Sequence, residues 1–296
     1  KVKRTFDFEK AKEGVYQILW GLVKKVVIAD TCATYANAIF DHYTSMNSLS
    51  LILGAFYFAF QIYGDFSGYS DMALGMSKLF GIDLLRNFNY PYFSRDIAEF
   101  WRRWHISLSS WFRDYVYIPL GGSKGSKLKQ VRNVFVIFLL SGFWHGANWT
   151  FIAWGFINAL YFLPLLLLQR NRSNMETVSL HWDWTSVKVF FSILSTFLLT
   201  CLAWVFFRAK SIGDAFDYIA RIFTNRSFLP QYLENERYSY EILLLVLLFI
   251  LVEWNARAKI EPISGKYSWV KVTLCLVALL ALGTYSDYKE FIYFQF

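Results

Sequence analysis

Two stretches of this chain carry almost no ionisable side chain. Between Val134 and Leu168 the only Asp, Glu, Lys, Arg or His is His145, and between Val189 and Phe207 there is none. About 20 apolar residues in a helix cross about 30 Å, the hydrocarbon thickness of a bilayer. Of the 296 residues, 56% are hydrophobic, 21% aromatic and only 18% charged, whereas a soluble domain carries about 25% charge. Such hydrophobicity excludes intrinsic disorder. A water-soluble single-core enzyme could not hide this much apolar surface. Cys32, Cys201 and Cys275 are scattered and show no CxxC or Cys/His spacing, so they read as buried thiols, with neither a disulfide scaffold nor a metal site. The class that remains is an all-α, polytopic membrane helical bundle.

The net charge of +8 reads as membrane topology. Lys and Arg collect in short loops beside apolar segments, and no basic stripe suggests a nucleic-acid partner. Loop 121–132 carries Lys124, Lys127, Lys129 and Arg132 with no acid, which places it in the cytoplasm. Residues 208–239 read as a loop of mixed charge. The chain starts on polar residues without Met, as a cut through a loop would, so the expectation is the C-terminal portion of a longer protein. Without an internal repeat or a Pro/Gly-rich linker, 1–296 reads as a single domain.

Residues 186–207 and 149–168 meet the length of a membrane span. The segments 48–64, 240–254 and 268–286 are further candidates, and 14–30 is apolar but interrupted by Lys24 and Lys25. Residues 70–82 and 131–142 are too short to cross alone, which suits re-entrant or broken helices lining a cavity. In 95–115 the residues Ile97, Phe100, Trp101, Trp104, Leu108 and Trp111 recur at helical spacing. The spacing predicts one amphipathic helix, capped by Ser94, with Asp96 and Glu99 at its positive end.

Three constellations could carry chemistry. In Ser141–Trp149 a histidine, His145, lies within an apolar stretch between Gly142 and Gly146, with Asn148 one turn on. Such a residue is a functional candidate by default, and a neutral imidazole suits a general base; the alternative is a histidine hydrogen-bonded between helices. His105, in Trp101–Ser109, borders the apolar face of its helix and reads either as functional or as a boundary residue. Asp65 and Asp71 follow an apolar span with Ser67 and Tyr69 between them. They line a polar cavity or pair with Lys or Arg inside the bundle.

These residues also resemble a known family. Asn89–Ser109, with its Phe100-Trp101-Arg102-Arg103-Trp104-His105-Ile106-Ser107-Leu108-Ser109 core, is similar to the signature of the membrane-bound O-acyltransferase (MBOAT) superfamily, in the bacterial branch that O-acetylates alginate. The likeness continues through Arg113–Gly122, Trp144-His145-Gly146, Gly21–Asp30, Ala203–Ala209 and Phe291–Phe296. The teichoic-acid D-alanylation branch shares the Trp-His motif, with less similarity through Ile118–Gly122.

The resemblance implies a curved helical bundle around a tunnel, here lacking several N-terminal helices. His145 and His105 match the family's two histidines. Trp144, Asn148, Asp65, Asp71, Arg95 and Trp101 are candidates to line the tunnel. The implied activity moves acetyl, or another short acyl group, from a cytoplasmic thioester donor toward hydroxyls of an exported polysaccharide. The donor, acetyl-CoA or an acyl carrier, is a co-substrate, and no cofactor is bound. The implied setting is the bacterial inner membrane, with membrane lipid around the chain. Transfer runs directly to the polymer or through an extracytoplasmic partner acetyltransferase. In this reading His145 takes the acceptor proton, and His105 orients the donor or hydrogen-bonds the oxyanion. The competing expectations are a multipass transporter or channel, and an inert scaffold of a secretion complex.

Overall fold

The computed structural model describes residues 6–178, 184–227, 232–233, 236–237, 241–259, 262–285 and 291. The motif that closes the chain therefore lies outside the described residues except for Phe291. The helices are α1 (Phe8–Leu22), α2 (Asp30–Asp41), α3 (Ser48–Leu79), α4 (Ile97–Arg103), α5 (Ile106–Phe112), α6 (Lys127–His145), α7 (Trp149–Leu167), α8 (Trp184–Arg208), α9 (Ile212–Thr224), α10 (Glu241–Ala256) and α11 (Ser268–Leu282). π-helical turns occupy Val23–Ala29 and Arg113–Tyr117. A two-residue antiparallel pairing joins β1 (Tyr232–Leu233) and β2 (Glu236–Arg237). Among the described residues three helices are long and apolar enough to cross a membrane: Ser48–Leu79, Trp149–Leu167 and Thr185–Arg208. Of residues 70–82, expected to stand apart, 70–79 instead prolong α3 to 32 residues.

The described residues fall into two compact units interleaved in sequence. The first draws on Lys1–Asp41, Phe56–Asn87 and Pro230–Gln295, the second on His42–Ala55 and Phe88–Leu229. In the first unit, α1 and α3 touch through small residues. A Cβ on Gly21 would lie 2.6 Å from the Gly68 carbonyl oxygen, and one on Gly14 2.6 Å from that of Gly75. The π-helical turn that follows α1 carries the two lysines that interrupt the apolar run. Lys25 Nζ lies 2.6 Å from Asp65 and 2.9 Å from Asp30. Lys24 Nζ lies 3.0 Å from Asp71 and 3.2 Å from Glu253. Glu253 also accepts from the Tyr63 hydroxyl at 2.8 Å, and Asp71 from Gln17 Nε2 at 3.1 Å. A buried charge is tolerated when it is paired and hydrogen-bonded.

The second unit departs from the sequence reading in several places, among them the start of α6 at Lys127, inside the stretch read as loop 121–132. The single helix expected over 95–115 is broken: α4 stops at Arg103 and α5 begins at Ile106. Its cap is Asp96, whose carboxylate accepts from Glu99 N at 2.7 Å, while Ser94 bonds back to Pro91 O. The aromatic spacing was helical on both sides of the break and could not reveal it. The stretch read as loop 208–239 contains α9. Ser211 caps it by accepting from Asp214 N at 3.0 Å, and Ala215 and Tyr218 are buried. Tyr218 donates to Leu51 O at 2.7 Å, and Ser48 to Ile222 O at 2.7 Å, so α9 is pinned to the first turns of α3.

Candidate active site

The site is built in the second unit, where α6 meets α7. A Cβ on Gly142 would lie 2.3 Å from the Phe151 carbonyl oxygen, and one on Gly155 2.3 Å from that of Phe138. Only hydrogen fits at either position, so the two backbones meet. Gly146 then ends α6 with φ 159°, and a Cβ there would lie 2.7 Å from the Phe151 ring. His145 is thus the last residue of a helix whose end is fixed against its neighbour. Its ring is enclosed by Trp144, Trp154 and Phe207 at centroid distances of 5.0, 5.2 and 5.1 Å. Trp154 stacks on Trp204 at 5.7 Å, and Trp204 packs on Trp104 at 5.1 Å. A chain of indoles therefore links the His145 enclosure to the residue before His105.

His105 occupies the break between α4 and α5. Its backbone is left-handed, with φ 44° and ψ 56°, a conformation that costs a non-glycine residue about 1–3 kcal/mol. The surroundings hold it there. Trp104 packs between Phe100 and Phe88 at 5.5 and 5.0 Å. Asn89 N donates to Arg103 O at 2.9 Å, and Ser109 N to His105 O at 3.0 Å. Burial pushes the His105 imidazole down to about 4, because desolvation disfavours the charged form. The buried site therefore holds a neutral ring.

Both histidines line one cavity of about 500 Å³. Its buried lining includes Trp104, Phe138 and Ser141, whereas Arg113, Ser123, Gln169 and Arg172 are exposed. Loop 169–178, which supplies part of that exposed lining, is held by the arginines of the 95–103 segment. Arg102 donates to Asn171 O and Asn174 O, both at 2.8 Å, and Arg95 to Glu176 O at 2.7 Å. Buried Glu99 orients the set, accepting from Arg95 Nε at 2.9 Å and Arg103 Nη2 at 2.8 Å. The arrangement offers two imidazoles, an apolar wall and a polar, cationic opening.

The profile of the MBOAT, membrane-bound O-acyltransferase family matches residues 3–208, a span that contains both histidines. The chain belongs to the membrane-bound O-acyltransferase family. It is 42% identical over 224 residues to the probable alginate O-acetylase AlgI of Pseudomonas aeruginosa, covering 75% of this chain and 40% of that protein. It is 36% identical over 319 aligned positions to the peptidoglycan O-acetyltransferase of Helicobacter pylori, covering 100% of this chain and 59% of that one. The teichoic acid D-alanyltransferase of Bacillus subtilis is 29% identical over 205 residues, with coverages of 67% and 51%. The chain thus spans 40–59% of the length of these relatives. Family membership and the span-length helices make it a membrane protein with several spans.

In this MBOAT chain the sequence-derived candidates separate into groups. His105, His145 and Trp101 line the cavity together. Trp144 is outside that lining, yet its ring lies 6.2 Å from His105 and 5.0 Å from His145. Asn148 caps α7, accepting from Thr150 N and donating to Lys210 O, both at 3.1 Å. Arg95 belongs to the loop clamp. Asp65 and Asp71 belong to the first unit and pair with Lys25 and Lys24. Ser141, Arg113 and Arg172 also line the cavity and were not singled out in the sequence. Ser141 could have been, because it precedes His145 by one helical turn and shares its face.

Proposed function

We propose that this chain is the histidine-bearing portion of an O-acyltransferase of the bacterial inner membrane. It moves acetyl, or another short acyl group, from a cytoplasmic thioester to a hydroxyl of an exported polysaccharide. The observation that carries this reading is the cavity that both His105 and His145 line. The acetyl-transferring names of the alginate and peptidoglycan relatives support the class of group moved.

In the proposed step His145 accepts the proton of the acceptor hydroxyl as its oxygen attacks the thioester carbonyl. The C–O bond forms, the tetrahedral intermediate collapses, the C–S bond breaks, and the thiolate leaves with the proton from the imidazolium. A positioned base contributes about 10²–10⁴-fold to such a step. Neutral His105 orients the donor or donates a hydrogen bond to the developing oxyanion, as preorganised donors do. The donor is acetyl-CoA or an acyl carrier, and no covalent acyl-enzyme is required. The acceptor is the polymer itself or an extracytoplasmic partner acetyltransferase that relays the group.

Membranes holding the full-length protein, supplied with labelled thioester, test the reading. Label should pass to a hydroxyl acceptor as an ester and vanish in His145→Ala at equal membrane abundance. Label crossing the membrane with the thioester intact would overturn the reading in favour of a transporter. Repeating the assay without partner proteins separates direct transfer from relay.

A further inference from the structure

The first unit carries a second cavity, also of about 500 Å³, among the π-helical turn after α1, α10 and α11. Trp20, Val27, Ile28, Phe249 and Ala278 give it apolar walls. It opens along apolar helix faces, where the lining residues Leu248, Leu274 and Leu282 are each more than half exposed. One end differs in kind. Where α10 finishes and α11 starts, Asn255, Lys259 and Lys271 join the lining beside Ala256, Pro262 and Ile263. From Lys271 to Leu282 at the opposite end is eleven residues of α11, about 16 Å of helix and so about half the ~30 Å hydrocarbon thickness. The groove has the depth of one leaflet.

The cationic end is also the end with interfacial chemistry. Tyr267 and Trp269 stand exposed there. Lys266 lies over the Tyr267 ring at 5.0 Å, and Arg257 over Trp254 at 4.0 Å. Aromatic and basic residues together mark the level of lipid headgroups. Lys271 Nζ is fixed by bonds to Pro262 O at 2.9 Å and Ser264 O at 3.0 Å. An ammonium has three N–H donors, so among the described residues one remains for an anion. Lys259 is near enough to Lys271 for the two charges to interact, which favours a negatively charged occupant.

The geometry points to a site for one anionic phospholipid of the surrounding bilayer. Its phosphate sits at Lys259 and Lys271, and one acyl chain lies along the groove toward Leu282. This inference does not depend on the acyl-transfer reading.

Native mass spectrometry of the detergent-purified full-length protein tests it, with phosphatidylglycerol and phosphatidylcholine as probes. One phosphatidylglycerol should be retained in preference to phosphatidylcholine. A lysine near the membrane surface contributes about 1 kcal/mol, so the double variant Lys259→Gln/Lys271→Gln should weaken that binding about 30-fold. Exposed Lys259→Gln alone should cost about 5-fold, which keeps the test open if the double variant does not fold. Ala278→Trp, which keeps both lysines but fills the groove, should also displace the lipid. Equal retention of the two lipids would overturn the inference. So would phosphatidylglycerol binding that none of these variants changes, as expected if the rest of the full-length protein covers the groove.

Discussion

His105 combines a strained backbone with a buried, neutral ring. The folded site holds the imidazole at about 4 instead of the ordinary 6.5. Below about pH 6.5 the unfolded chain therefore takes up a proton that the folded site refuses, and stability falls with pH down to about 4. From pH 7 to 5 the loss should be about 2 kcal/mol. His105→Asn tolerates the left-handed conformation and does not titrate, so its melting temperature should fall less over that range. Equal slopes for the two proteins would contradict this account of His105.

Lys25 makes the complementary case. Its ammonium pairs with buried Asp65 and Asp30. Lys25→Ala should destabilise by about 3–5 kcal/mol, and Lys25→Met/Asp65→Leu by less, because no unpaired charge is then buried at Asp65. Denaturation of all three proteins checks this. Pairing was one of two readings open for Asp65 from sequence. Its partner was not legible, since the lysine lies forty residues away on another helix.

At the scale of elements, the α6–α7 contact fixes the end of α6 that carries His145. Gly142→Ala places a methyl against the Phe151 carbonyl oxygen. Overpacking of this kind costs about 1–3 kcal/mol. The expected outcome is a lower melting temperature with acyl transfer reduced further than stability alone explains, measured on the folded fraction. The arginine clamp makes a different prediction. Arg102→Ala removes that residue's two bonds to loop 169–178, so proteolysis there should accelerate and KM for the thioester should rise several-fold more than kcat falls. Arg102→Lys should rescue poorly, because an ammonium lacks the forked donors of a guanidinium.

The motif residues of this region were readable as a constellation, but their roles were not. Arg95 was expected at the tunnel wall and instead holds a loop. The break at Trp104–His105 is invisible to helical periodicity, which continues through Leu108 and Trp111. Helix α9 was missed because its mixed charges resemble a loop, although Ser211 and Asp214 form a capping pair and Ala215, Tyr218 and Ile222 recur at helical spacing.

At the scale of the molecule, the two long uncharged stretches were enough to give the class. Val189–Phe207 lies within α8, and Val134–Leu168 became the α6–α7 pair that carries His145. The division into two interleaved units left no mark in composition or linkers, because it follows contacts between segments far apart in sequence. In the proposed reaction His145 is the base of an acyl transfer onto an exported polymer. The acyl content of that polymer should be measured in cells expressing the full-length protein with His145→Ala, matched to wild type for abundance in the membrane. Ester-linked acyl groups should fall to background. Polymer acylated to the wild-type level would contradict this role for His145.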